Sequence, residues 1–169
     1  MKKLGMLFTG LVLALVLGAC SEDGLDEVVD THNEIRDALG GDDVEESIEE
    51  IQNLLGEYSM QEISKEEFDE RKEAALEAVS EMRDNLDAVD KPKGDRAVEY
   101  YELSYDMTIK SLDNIEEALD MPEDFEDEEE VLKYQERIEK GQEEEMEAME
   151  KVEELREELE EEGVEFEEQ

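Results

Sequence analysis

Cys20 is the only cysteine in the chain, and a thiol is the most reactive nucleophile that this sequence offers. It closely follows an apolar run, residues 6–17, that starts after two lysines and gives way to small residues. A membrane-spanning helix needs about 20 apolar residues, so this run is too short to be one. A basic start, a short apolar run and small residues before the cleavage point are typical of an export signal. We therefore expect residues 1–19 to be a signal peptide that is removed.

The sequence Leu17-Gly18-Ala19-Cys20 resembles a bacterial lipobox. This resemblance implies that diacylglycerol alkylates the Cys20 thiol, that the peptide bond before Cys20 is cut, and that the new amino terminus can then be acylated. The alternative is an ordinary signal peptide that is cut near Ala19 and leaves Cys20 as a free thiol. We predict Cys20 as the lipidation site, and a single cysteine leaves no internal disulfide to hold the fold.

Few residues in the chain suit catalysis. His32 is the only histidine, so neither the paired Glu-x-x-His motifs of a di-iron bundle nor a two-histidine zinc site can be built. The sequence contains no Gly-x-Ser-x-Gly motif and no glycine-rich phosphate loop, and lipid would consume the thiol of Cys20. We predict no catalytic residue, no cofactor and no enzyme activity, and we interpret His32 as a packing residue on an apolar stripe.

Carboxylates are abundant, and they are the ligands that calcium and magnesium prefer. The acidic segment Asp120 to Glu130 lacks the alternating ligands and the turn glycine of a calcium loop, so we expect a diffuse cation atmosphere and no metal site. The methionines fall on or beside helical stripes, which favours a role as core filler over copper binding. Tyr101 and Tyr105 fit the expected core stripe of their helix, which leaves only Tyr100 for stacking against a sugar.

The net charge limits the kinds of molecule that the protein surface can bind. Residues 1–19 carry two lysines and no acid, so their removal changes the net charge from −41 to −43. Such a surface repels nucleic acids, phosphate-rich ligands and anionic membranes, which leaves lipid on Cys20 to hold the protein at a membrane. The charge also destabilises a compact state unless salt screens it, which indicates a source that lives in high salt.

Apolar residues recur at steps of three and four in five segments, which predicts five helices. We expect them from Leu25 to Gly40-Gly41, from Asp43 to Glu57, from Lys65 to Val89, from Arg96 to Leu119, and from Glu128 to Glu162. Ser64 and Glu67 form a capping box, and Ile63 can contact Phe68 across it. Asp95 is predicted to cap the fourth helix.

Short connections between the later helices predict that consecutive helices lie side by side and antiparallel. The predicted fold is an all-α, up-and-down antiparallel helical bundle with three long helices and one or two short N-terminal helices; an extended coiled coil is the alternative. In domain terms we expect a removed signal peptide (1–19), a lipidated tether (20–24), an acidic bundle (25–162) and a disordered tail (163–169). We also expect the end of the last helix to overhang the bundle, with residues 157–162 frayed in isolation and ordered only against a partner or a second copy.

A signal with a lipobox is followed here by helices, by Asp87-Ala-Val-Asp-Lys-Pro-Lys-Gly, and by a tyrosine-rich helix that begins near Ala97. This layout is similar to small all-helical lipoproteins of Gram-positive bacteria, some of which are classed as cell-wall-binding. The helices of that class are typically rich in lysine, whereas these are acidic. Only Cys20, as lipid site, is carried over from the resemblance.

These observations predict a non-enzymatic, lipid-anchored interaction or spacer lipoprotein at the extracytoplasmic face of the cell membrane, with a Gram-positive host favoured. Its expected contacts are the membrane through lipid on Cys20, an envelope protein or cell-wall component, and a weak association with a second copy. The alternative is a solute- or divalent-cation-binding lipoprotein.

Overall fold

A computed structural model describes residues 25–41, 44–122 and 127–164, and within these ranges all regular structure is helical. The helices are α1 (Leu25–Ala38), α2 (Val44–Ser59), α3 (Lys65–Asp87), α4 (Asp95–Leu119) and α5 (Glu128–Glu161). The all-α prediction is confirmed, and each helix begins and ends within three residues of its predicted bounds. The predicted signal peptide and tether, residues 1–24, lie outside the described residues.

The start of α3 follows the capping prediction, whereas the start of α4 does not. The side chain of Ser64 accepts a hydrogen bond from the backbone N–H of Glu67 at 3.2 Å. Gly94, and not Asp95, is the N-cap of α4, and it has no side chain with which to cap the helix. The carboxylate of Glu27 on α1 accepts the N–H groups of Lys93 and Gly94 at 2.8 and 2.7 Å instead. The N-terminus of α4 is therefore stabilised by a carboxylate from another helix.

Helix α4 packs against α5, α3 and α1. Its contacts with α5 run in opposite order along the two chains, because Arg96 bonds Glu158 whereas Asp120 bonds Arg137. The two helices are therefore antiparallel. The same reasoning makes α3 antiparallel to α4, from the pairs Asp87 with Tyr105, Arg83 with Asp113, and Lys72 with Asp120.

Helix α1 runs parallel to α4, since Glu27 bonds Gly94 and His32, further along α1, bonds Tyr100. Helix α2 packs against α3. Tyr58 near the end of α2 stacks on Phe68 near the start of α3, with ring centroids 4.1 Å apart. This stacked pair joins the two helices beside the turn that connects them.

Most of the buried apolar residues form two clusters at opposite ends of α4. The first cluster joins α2, α3, the second half of α4 and the first half of α5; its members include Leu54, Phe68, Val79, Leu119 and Ile138. The second cluster joins α1, the start of α4 and the end of α5; its members include Val28, Ala97, Val152, Leu159 and Val164.

The predicted overhang at the end of α5 is wrong. Leu159 is fully buried, and Val164, beyond the end of the helix, is buried in the second cluster as well. The guanidinium of Arg96 also bonds Glu158 and Glu162, which neutralises part of the negative charge at the helix C-terminus. The end of α5 is ordered because α1 and α4 cover it. Residues 165–169 of the predicted tail lie outside the described residues.

Candidate functional site

His32 and Tyr100 form a buried polar pair between α1 and α4. His32 is 3% exposed, and its Nδ1 lies 2.7 Å from the Tyr100 hydroxyl oxygen. The two ring centroids are 6.0 Å apart and the rings are tilted by 56°. The second ring nitrogen of His32, Nε2, has no hydrogen-bond partner among the described residues. This pair is the most deeply buried contact between titratable side chains that the structure describes.

Burial keeps both members of this pair neutral. Desolvation, together with the positive charges of Arg156 and Arg36, lowers the pKa of His32 to about 4. Desolvation raises the pKa of the Tyr100 hydroxyl, against the smaller opposing effects of Ser104 and Arg156. The neutral imidazole at pH 7 supports packing and one neutral hydrogen bond, and it carries no charge that would attract an anionic ligand.

The position of Tyr100 corrects the predicted stripe of α4. Tyr100 is buried, whereas Tyr101 and Tyr105 are only half-buried and place their hydroxyls near the end of α3. The prediction counted large apolar residues, but the face of α4 toward α1 and α5 carries Ala97, Tyr100 and Ser104. A sugar-stacking role for Tyr100 is therefore wrong, because its ring is covered by protein.

A second polar contact joins the middle of α4 to α5. Glu145 accepts hydrogen bonds from the Ser111 hydroxyl at 2.8 Å and from the Asn114 side-chain amide at 2.7 Å. Ser111 and Asn114 are both buried. We call these three residues, with Gly141, the polar layer. A Cβ atom on Gly141 would lie 2.7 Å from Asn114 Oδ1, so the absence of a side chain allows this close approach.

The polar layer explains why the apolar seam of α5 is interrupted in its middle. Gly141 and Glu145 interrupt the apolar seam of α5, yet they lie opposite the polar residues of α4. Asn114 Oδ1 has no hydrogen-bond partner among the described residues, and it lies against the backbone of Gly141. Because a shifted helix would leave Glu145, Ser111 and Asn114 unpaired, the layer favours a single register of α5 against α4.

Gly141→Ala is expected to destabilise the protein by about 1–2 kcal/mol, although alanine favours a helix by about 1 kcal/mol over glycine. The reason is that Asn114, held by Glu145, cannot retreat from the new methyl group. Gly56→Ala on α2 is the control, since a Cβ there meets nothing within 4 Å and should stabilise. Urea unfolding followed by circular dichroism measures both. Equal stabilisation by both substitutions would contradict a close contact at Gly141.

The other residues singled out in the sequence do not form one site. Cys20 lies outside the described residues, and so do residues 123–126 of the acidic segment Asp120 to Glu130. Asp127 accepts the N–H groups of Glu129 and Glu130 and so caps α5. Of the methionines, Met82 and Met121 are buried whereas Met60 and Met146 are exposed. No group of three or more histidine, cysteine, aspartate or glutamate residues within 25–41, 44–122 and 127–164 is arranged to hold a metal ion.

No known protein family, curated protein or solved structure matches this chain. Among the helices that the structure describes, none is both long enough and apolar enough to cross a membrane. The described surface instead carries ion pairs between helices, such as Arg83 with Asp113 and Glu116.

Proposed function

We propose that this protein is a lipid-anchored, non-enzymatic interaction or spacer module at the outer face of the cell membrane. The observation that carries the proposal is the sequence Leu17-Gly18-Ala19-Cys20, in which the chain's only cysteine follows an export-type segment. The helical body supplies faces for protein contacts, and its acidic surface needs a lipid to stay at an anionic membrane. A Gram-positive host, with a single membrane, fits this anchor.

The proposed architecture is an up-and-down bundle in which α3, α4 and α5 are the long helices. The antiparallel contacts of α4 with α3 and α5 support it. Helix α5 has 34 residues and is therefore about 51 Å long at 1.5 Å per residue. A body of this length suits a spacer that holds a contact surface away from the membrane.

The proposed anchor also implies an orientation of the helical bundle relative to the membrane. Leu25, the first residue of α1, is five residues after Cys20, so the chain between them spans at most about 18 Å. Leu25 packs in the second cluster, beside the start of α4 and the end of α5. The end of the bundle near Gly94 and Leu159 would therefore face the membrane, and the start of α5 would point away from it. The proposed partner is an envelope protein or cell-wall component at the distal end.

Replacing Cys20 with alanine tests the anchor. The expected result is complete loss of labelling by radioactive fatty acid and release of the protein from the membrane fraction, because no other thiol is present. Ser21→Ala is the matched control and should keep both. Fractionation, fluorography and intact mass measure the outcome. Unchanged labelling of the Cys20→Ala variant would refute the proposal.

A further inference from the structure

The outer face of α5 carries a stripe of mostly uncharged residues. Leu132, Gln135, Gln142, Met146 and Met149 lie on one side of the helix, and Glu139 occupies the position between Gln135 and Gln142 in the same series of three- and four-residue steps. Leu132 is 56% exposed and Met146 is 59% exposed, whereas Met149 is half-buried. We call these five residues the outer stripe. From Leu132 to Met149 it is about 26 Å long.

Acidic side chains lie within and beside the outer stripe: Glu139 lies within it, and Glu136, Glu143 and Glu150 lie close to it. All four are exposed, and their carboxylates form no hydrogen bond or ion pair with any residue in the part of the chain that the structure describes. Other carboxylates of α5 do pair with lysines four residues away, as in Glu129 with Lys133 and Lys140 with Glu144. The carboxylates along the stripe are therefore free to bind cationic groups of a partner.

The negative charge of the protein favours some binding partners of the outer stripe over others. A second copy of the chain would bring together two surfaces of net charge near −43, and a nucleic acid or an anionic membrane would be repelled in the same way. A helix with an apolar seam and lysine or arginine beside it complements both features. Its seam would contact Leu132, Met146 and Met149, and its cations would lie against Glu139 and the carboxylates beside the stripe. Methionine suits such a contact because its flexible side chain adapts to the partner's shape.

We infer that the outer stripe is a docking surface for a basic amphipathic helix of a partner protein. This inference rests on the proposed function as an interaction module, and it names the chemistry of the partner. Leu132 lies on the first turns of α5, before Tyr134 and Arg137 reach the end of α4. In the proposed orientation the stripe therefore begins at the membrane-distal end of the bundle.

The test measures binding of a synthetic helical peptide of about 18 residues, which matches the length of the stripe. The peptide has leucines along one face and lysines beside them, and a scrambled peptide of the same composition is the charge control. The protein is the mature lipidated chain, which begins at Cys20, in phosphatidylcholine nanodiscs, with empty nanodiscs as the blank. At about 0.5 M salt, which screens nonspecific attraction, the patterned peptide should bind at least about tenfold more tightly than the scrambled one.

Leu132→Gln together with Met146→Gln removes apolar surface without changing the charge, and it should weaken binding of the patterned peptide by about tenfold. Met60→Gln is the matched control, since Met60 is 65% exposed but lies beyond the end of α2, and it should bind as the parent does. Equal binding of the two peptides, or equal binding by the double variant and the control, would overturn the inference. Intact mass of the same samples reports the lipid on Cys20, so failure of the anchor is recognised separately from failure of docking.

Discussion

Leu159→Ala is expected to lower the free energy of unfolding by about 3 kcal/mol, since truncation of a fully buried leucine loses transfer energy and leaves a cavity. Leu159 packs in the second cluster with Val28, Ala97 and Val152, so three helices lose contacts together. The substitution tests whether the end of α5 is an integral part of the fold.

The matched control for this prediction is Leu132→Ala, which makes the same chemical change on the same helix. Leu132 is 56% exposed, so its replacement should change the free energy of unfolding by less than about 0.5 kcal/mol. Urea is the appropriate denaturant, because guanidinium chloride would also screen the acidic surface. Small and equal effects of the two substitutions would mean that the end of α5 is frayed, as the sequence suggested.

The helices and some of their boundaries were predictable because the signals are local. Ser64 caps its own helix, glycines follow α1 and α5, and apolar spacing within one helix needs no knowledge of its neighbours. The signal for the buried face of α4 was weaker. Small and polar residues such as Ser104, Thr108 and Ser111 are buried there only because other helices cover them.

The contacts between distant parts of the chain could not be predicted from capping signals and apolar spacing within one helix. Glu27 caps α4 from 66 residues away, and nothing in the sequence near Glu27 distinguishes it from the many other glutamates. Gly141 looks like a helix breaker until Asn114 is placed against it. The end of α5 looked unsupported because Arg96, which bonds its last turn, is on another helix. Each of these interactions depends on tertiary packing, which one sequence does not specify locally.

The stability of the fold should depend on pH through His32. The pKa of His32 is about 4 in the folded state, because of burial and of the charges of Arg156 and Arg36, and about 6.5 in an unfolded chain. Between these values the unfolded chain binds a proton that the folded protein does not. The stability that is linked to the lowered pKa of His32 is therefore fully present above pH 6.5, and it is lost as the pH falls toward 4. The maximum loss is about 3 kcal/mol, from 1.36 kcal/mol per pKa unit.

Other groups titrate in the same range, so the effect must be isolated by comparison with a variant. Protonation of surface carboxylates relieves charge repulsion in both proteins and cancels in the difference. His32→Phe keeps a ring in the cavity but removes the titrating group, although it leaves the Tyr100 hydroxyl without its partner. The variant is expected to be less stable than the parent at pH 8 by about 1–3 kcal/mol, and this deficit should shrink or reverse near pH 4.

His32 is the only histidine in the sequence, so its ring signals in an NMR spectrum can be assigned without ambiguity. Their chemical shifts followed against pH should show no titration near pH 6.5 and a midpoint well below it, provided that the protein is still folded. Arg36→Gln should raise that midpoint by removing one of the charges that disfavour the imidazolium ion. Tyr100→Phe should keep the low midpoint, since burial and the two arginines remain. A midpoint near 6.5 in the folded parent, with a stability difference that does not vary with pH, would show that water reaches the ring and that α1 does not stay packed on α4.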